Sequence, residues 1–408
     1  LLGSKVKEHR HNEVVIVGLR SLALMFMRTF IFTLLGFGLL LFVAYDVYAT
    51  ILHASARFGP IGETLNRSVW RMTRRIARRF SRPRRHKILN AVGPLLLPLL
   101  LVILVFLVMT GFAAIYYPRM PAQFNVQNAA DSSTWIESFY FSGITLTTLG
   151  YGDIAPRTTT VRLLTLVESA SGIALISLAI TYLIAVYNAL ERKRSVAISL
   201  YHQAEEGADV AGFISHYFVD GRFIGLEDVL RSATRDIQSL LESHIEHPVI
   251  HYFHPVEVYK SMPRMLFLLL ETSSVIRSCL DQEAYASTRQ HPEVRTLEAS
   301  ARHVLVALVA SLDLQYRKST GTETRFEEAR RWKGRFKATM QRLEDSGIKT
   351  RRDFNEALEE YRTQREDWES TLYRFAKHLG YDWDEVTGDR DLRYAADEEM
   401  ERPEALNH

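Results

Sequence analysis

The chain has 408 residues, with 50 Lys and Arg against 47 Asp and Glu, a formal net charge of +3, and 47% hydrophobic residues. That balance excludes a disordered or collagen-like chain, and a single cysteine, Cys279, excludes an intrachain disulfide framework and a Cys-rich zinc module. The mean hydropathy of −0.06 has the value of a soluble protein, yet it averages an N-terminal part full of long apolar runs and a charged, helix-patterned remainder.

Three apolar runs stand out: Thr29 to Leu52, Ala91 to Tyr117, and Val161 to Leu190. A bilayer core takes roughly 20 apolar residues as helix, and all three runs suffice. Pro94 and Pro98 fall in the first turns of the second run, where lost backbone bonds cost least. The chain therefore reads as a membrane protein with a large aqueous domain. Asp46 sits near the far end of the first run, where it is expected to pair with arginines of the segment that follows.

That segment, residues 54–90, carries eleven Lys and Arg against Glu63 alone, a net of +10 that places it in the cytoplasm. Ile61, Leu65, Met72, Ile76 and Phe80 recur at helical spacing, with Trp70 beside them. Two readings stay open, an amphipathic helix on the inner leaflet with its arginines toward anionic lipid, and a solvated basic connector. The arginine spacing is too polar in between for a voltage-sensing span.

Between the second and third runs the chain reads Asp131-Ser132-Ser133-Thr134-Trp135, then Thr145-Leu146-Thr147-Thr148-Leu149-Gly150-Tyr151-Gly152-Asp153. This stretch resembles the pore loop of bacterial tetrameric potassium channels of the two-helix-pore family, and the resemblance covers roughly residues 91–192. It implies an outer helix at 91–117, a pore helix at 133–147 with Ser132 as its cap, a selectivity filter at 148–153 and an inner helix at 161–190. Residues 1–53 are then an N-terminal segment with an additional span, 54–90 the basic linker, and 191–408 a helical cytoplasmic regulatory domain. The fold class is all-α.

The chemistry accounts for the composition of the motif. A potassium ion sheds its water only if protein oxygens replace it. The resemblance assigns that role to the filter residues Thr148, Leu149, Gly150, Tyr151 and Gly152, with backbone carbonyls of the first four and the Thr148 hydroxyl as ligands of K+ ions. Successive carbonyls face one axis only where some residues take left-handed backbone angles, which glycine adopts without a Cβ clash. Asp153 at the outer mouth adds negative charge that concentrates cations. One chain supplies one quarter of such a ring, so a homotetramer is implied. Leu149 replaces the commoner Val, and Ile144 stands where some relatives carry a Glu behind the filter.

Gly172 follows Asp153 by nineteen positions and matches the inner-helix hinge of many relatives, although close helix packing explains a glycine there equally well. Ile173, Ile176, Ile180 and Ile184 form a stripe that the resemblance turns toward the pathway, where a ring of Ile180 or Ile184 makes an apolar gate; a lipid-facing stripe is the alternative. Glu168, ionisable and inside a span, is expected to face protein and bond with pore-helix backbone or hydroxyls.

An outward filter and a cytoplasmic linker place the N-terminus outside and the C-terminal domain in the cytoplasm of a multi-pass cell-membrane protein, against the positive charge of Lys5, Lys7, Arg10 and Arg20. A short amphipathic helix over Val14 to Met27 is the alternative for that region, and the opening Leu1-Leu2-Gly3-Ser4 is expected to include added residues.

Beyond Glu191 helices are expected over 195–206, 209–219, 226–247, 256–280, 292–316, 323–345 and 351–379, the last two forming a coiled-coil-like hairpin about Ser346-Gly347 with Gly380 as the stop. No dinucleotide fingerprint, P-loop, nucleophile elbow or HExxH occurs, so neither an enzyme, an organic cofactor nor a nucleic-acid partner is expected. His244, His247, His251 and His254 share one face only if the helix is continuous, and Pro248 and Pro255 interrupt it, so they are weak metal candidates. The acidic stretch 381–408 reads as a solvated tail. The leading expectation is a K+-selective channel gated at the inner helix through the cytoplasmic domain by an unknown ligand. A poorly selective monovalent cation channel and a membrane-bound sensor or assembly subunit with a silent pore remain as alternatives.

Overall fold

A computed structural model describes residues 2–52, 59–120, 122–126, 134–204, 210–314 and 322–388. The architecture is all-α, with two short two-stranded hairpins among the described residues. The chain forms two compact units, one of residues up to 52, 59–63 and Leu97–Ile184, the other of Thr64–Leu96 and 185–388.

In the first unit, α1 runs unbroken from Leu2 to Val47 and ends in a π-helical turn, Tyr48–Leu52, so the alternative of a separate short helix over Val14 to Met27 is not found. Its apolar part, Ala23–Ile51, is long enough to cross a bilayer. Helix α4, Val92–Tyr116, carries Pro98 inside its first turns, as the sequence leads one to expect. A Cβ on Gly36 of α1 would approach the Gly111 carbonyl oxygen of α4 to 2.6 Å, so small residues let these two helices touch. Arg119 Nη1 donates to Thr33 Oγ1 at 2.9 Å, and the Phe32 and Tyr117 rings meet edge to face at 4.9 Å. The order of these contacts makes α1 and α4 antiparallel.

Among the described residues Asp46 meets no arginine. Its Oδ1 accepts the Ile61 N–H at 2.7 Å, at the start of α2 (Pro60–Ala77), while Thr50 Oγ1 accepts the Gly59 N–H at 3.0 Å. Unpaired amides at a helix start draw a carboxylate more strongly than solvated guanidinium groups do.

Helix α3 covers Arg82–Asn90, and β1 (Phe124–Val126) pairs antiparallel with β2 (Ile154–Pro156) around the pore helix α5, Thr134–Leu146. Ser132, the expected cap, lies outside the described residues. Helix α6, Thr159–Gln203, absorbs both the inner helix and most of the expected helix over 195–206.

In the second unit α7 (Val210–Ser215) leads into a hairpin, β3 (Phe218–Val219) with β4 (Arg222–Phe223), and then α8 (Leu226–Glu246). Helix α9, Met262–Ser278, is the core element, buried at every position except Arg277. Its hydroxyls tolerate burial because each donates back one turn, as Thr272 does to Leu268 O at 2.7 Å. A short α10 (Ala286–Arg289) precedes α11 (Pro292–Ser311), α12 (Thr322–Asp345), α13 (Phe354–Glu366), α14 (Glu369–Leu379) and α15 (Trp383–Thr387).

The expected single helix over 351–379 is two. It breaks at Trp368, which turns inward to meet Phe267 edge to face at 6.1 Å. Arg365, which the periodicity reads as a skipped register, is fully buried and pairs with Glu271 of α9 and, at 2.6 Å, with Glu369. The apolar row of α13 and α14 thus serves α9 as well as a hairpin with α12. Gly380, left-handed at φ 90°, ends α14 where the sequence places the stop.

The basic linker packs into this unit. Trp70 is buried and its Nε1 donates to the His378 carbonyl at 3.3 Å, and Arg74 donates to the same oxygen at 2.7 Å. Arg82 and Arg85 pair with Asp382 at 2.9 and 2.7 Å, and Arg82 also with Asp384 at 3.0 Å. The start of the expected acidic tail is therefore folded: Asp382 and Glu385 form a capping box on α15. Residues 389–408 lie outside the described ones. Met72, Ile76 and Phe80 remain exposed, together with Arg71, Arg75 and Arg79.

Candidate ion pathway

Helix α5, the expected pore helix, ends in a left-handed turn that leads directly into residues 148–153, the expected filter. Leu149 N–H donates to Ile144 O at 2.8 Å and Thr148 N–H to Thr145 O at 3.0 Å, the paired bonds of a Schellman cap. The residue at the left-handed position of that cap is Thr148, with φ 60°. Glycine or Asn normally sits there, and a β-branched residue costs on the order of 1–3 kcal/mol. A fold that keeps Thr at such a cost has a use for its hydroxyl.

Gly150 and Gly152 follow at φ 54° and 82°, so left-handed angles recur at every second residue from 148 to 152. Sequence reasoning foresees the two glycines and misses Thr148. Leu149 and Tyr151, between them, are 60% and 69% exposed in the single chain, which leaves both side chains open to a neighbour. Tyr140 of the pore helix donates its hydroxyl to Asp153 Oδ2 at 2.9 Å, while Asp153 Oδ1 accepts the Ile154 N–H at 3.1 Å. Asp153 is thereby fixed at the start of β2.

Behind the filter, Glu168 of α6 is fully buried. Its Oε2 accepts the Tyr116 hydroxyl of α4 at 2.8 Å, and its Oε1 accepts Ser142 Oγ of the pore helix. Ser142 is close enough to Met109 O, at 3.0 Å, to share its proton with the backbone of α4. Glu168 thus bonds with a pore-helix hydroxyl, as its place in an apolar span suggests. Sequence reasoning misses Tyr116 and Ser142 as its partners, since each is one hydroxyl among many on apolar helices.

Gly172 lies against the end of the pore helix: a Cβ there would overlap the Leu146 carbonyl oxygen. Close approach requires a glycine at this position, whatever bending α6 undergoes. Ile173, Ile176, Ile180 and Ile184 are 58%, 48%, 54% and 56% exposed, one continuous open stripe on α6, whereas Leu175, Tyr182 and Val186 are buried on the other side.

The four histidines do not converge. His244 Nδ1 lies 2.7 Å from Leu240 O within α8, and His251, in the 3-10 turn Pro248–Tyr252, has Nε2 3.1 Å from Ser311 Oγ. His254 instead meets His86 of α3, Nε2 to Nδ1 at 2.7 Å, and His86 Nε2 lies 3.2 Å from Glu385. Pro248 ends the helix, so no single face carries the four rings: His244 and His251 lie 4.9 Å apart, whereas His254 turns to His86. Among the described residues no group of three or more His, Cys, Asp or Glu is placed to hold a metal ion.

Comparison with known proteins agrees with the pore reading. Residues 101–189, from α4 into α6, match the family model described as "Ion channel". An uncharacterized membrane protein of Bacillus subtilis, YdjJ, is 29% identical over 262 residues, 64% of this chain and 74% of that protein. Two-pore potassium channel 4 of Arabidopsis thaliana is 29% identical over 118 residues, 27% of this chain and 40% of that protein. No solved structure gives a significant match. With three helices among the described residues apolar and long enough to span a bilayer, these likenesses support a membrane protein of the ion-channel class.

Proposed function

We propose that the chain is one subunit of a homotetrameric K+-selective channel in the cell membrane, with dehydrated K+ ions held by the backbone of residues 148–152. The observation that carries this reading is the recurrence of left-handed angles at Thr148, Gly150 and Gly152 immediately after a capped pore helix. That backbone allows successive carbonyls to face one axis, and four copies around the axis replace the water of the ion. Asp153, held by Tyr140, raises the cation concentration at the mouth. The name of the Arabidopsis relative supports potassium as the permeant ion.

In this reading Ile176, Ile180 and Ile184 line the lower pathway, and rings of Ile180 or Ile184 close it by dewetting. The second unit controls the gate, because it contains the stretch preceding α4's apolar part and the one following Ile184. The antiparallel contacts of α1 with α4 support a first span that starts on the same side as the filter mouth, outside. The exposed Met72, Ile76 and Phe80, flanked by arginines, support contact of the linker with anionic lipid at the inner leaflet.

Purified protein in liposomes tests the function by uptake of rubidium against a K+ gradient, repeated with sodium. Rubidium uptake at least tenfold above sodium supports the reading. Equal uptake of the two ions supports a poorly selective pore instead, and no uptake by particles that are tetrameric contradicts conduction.

A further inference from the structure

We propose that the second unit contains a binding site for a phosphate-bearing anion, in a cavity of about 210 Å³ whose lining includes Asn90, Tyr187, Lys193, Arg194, Phe253 and Lys260. All six belong to that one compact unit, so the cavity does not depend on how the two units are arranged. Lys193 is only 6% exposed, and no carboxylate stands within ion-pair distance of it among the described residues. A buried ammonium without a counter-charge is costly to fold around, and an anion at the cavity removes that cost.

The titratable groups around Lys193 do not supply the charge. Its neighbours His244, His251 and His254 are neutral or cationic at any pH, and each is already engaged, with Leu240 O, Ser311 Oγ and His86 respectively. Arg194 and Lys260 add two further cations to the wall, and Glu257 pairs with Lys260 at 3.1 Å without lining the cavity. The Asn90 amide already donates to His254 O at 2.7 Å. Apart from His254 the remaining wall is largely apolar, with the Tyr187 and Phe253 rings in edge-to-face contact at 6.3 Å.

Three cations beside an aromatic wall select a compact anion of more than one charge with an apolar appendage. A phosphate ester has that chemistry, and lysine ammonium groups bind it as point charges. Two sources share it, the headgroup of an anionic lipid and a soluble phosphate ester. Binding at this place is independent of whether the filter conducts.

The test uses the full-length protein in detergent, with dioctanoyl phosphatidate, dioctanoyl phosphatidylcholine and inorganic phosphate as probes. Binding is read by native mass spectrometry and by the shift in unfolding temperature. Stabilisation by phosphatidate alone supports the site and assigns it to lipid, and stabilisation also by inorganic phosphate supports it and opens it to soluble esters. Lys193→Gln is expected to weaken phosphatidate binding about tenfold or more. Should that variant fail to fold, Arg194→Gln with Lys260→Gln, both nearer solvent, is expected to weaken it as well. Equal stabilisation by phosphatidylcholine, no stabilisation by any probe, or unchanged affinity in the folded variants overturns the proposal.

Discussion

The Tyr116 hydroxyl donates to Glu168 Oε2 at 2.8 Å, joining the outer helix to the inner helix, and Ser142 brings the pore helix to the other oxygen of the same carboxylate. One buried acid thus ties together the three helices that position the filter. Tyr116→Phe leaves that buried acid with one hydrogen-bond partner fewer and is expected to lower stability by about 1–3 kcal/mol, the cost of leaving a buried polar group unsatisfied. Thermal unfolding of Tyr116→Phe, Ser142→Ala and the double variant measures it. Independent, additive losses would show that the carboxylate does not couple the helices.

Gly172 abuts the Leu146 carbonyl at the end of the pore helix. Gly172→Ala is expected to push the two helices apart at a cost of about 1–3 kcal/mol, typical of overpacking, and to reduce rubidium flux. The unfolding temperature separates this from a hinge. If Gly172 serves only bending, the alanine variant keeps the wild-type unfolding temperature and loses flux alone.

In the second unit, Arg365 is fully buried between Glu271 and Glu369. Arg365→Met removes the cation and leaves Glu271 buried with only Tyr361 as a partner, an expected loss of about 3–5 kcal/mol. Restoring balance with Glu271→Leu in the same chain is expected to recover much of it. Denaturant unfolding of the full-length protein decides, and a single variant as stable as wild type would contradict the assignment of this pair as a structural one.

Acid is expected to loosen the same unit. Burial, with Arg74 and Arg67 nearby, pushes the His378 imidazole down to about 4, and burial beside Lys193 pushes His244 down to about 3 against the opposing pull of the Leu240 carbonyl. Both fold as neutral rings, so the unfolded chain binds more protons below its ordinary histidine value of about 6.5. Stability is therefore full above pH 6.5 and declines as the pH falls toward 4. Unfolding temperatures measured between pH 7.5 and 4.5 check the direction, and a flat or rising profile on acidification would contradict it.

The spans and the helix that precedes the filter motif were legible because their signals are local. The run of apolar residues gives α4 as Val92–Tyr116 against an expected 91–117, and the motif gives the pore helix as Thr134–Leu146 against 133–147. The linker was less legible. Its periodicity points to an apolar face of Ile61, Leu65, Met72, Ile76 and Phe80, and gives no sign that Asn66, Trp70 and Ala77 pack inward. That choice was made by the His378 carbonyl and the carboxylates near residue 382, some three hundred positions away, which no local pattern contains. Arg365 and the break at Trp368 were hidden for the same reason, since a charge that α9 neutralises looks, in sequence, like a surface residue.

The reversal potential of single channels in a planar bilayer, with potassium on one side and sodium on the other, goes most directly to the central claim. A ring of backbone oxygens from residues 148–152 predicts a reversal potential close to the potassium equilibrium value, and Gly150→Ala, which strains the left-handed position, is expected to abolish the current. A wild-type current that reverses near zero, or one that survives unchanged in Gly150→Ala, would contradict the account.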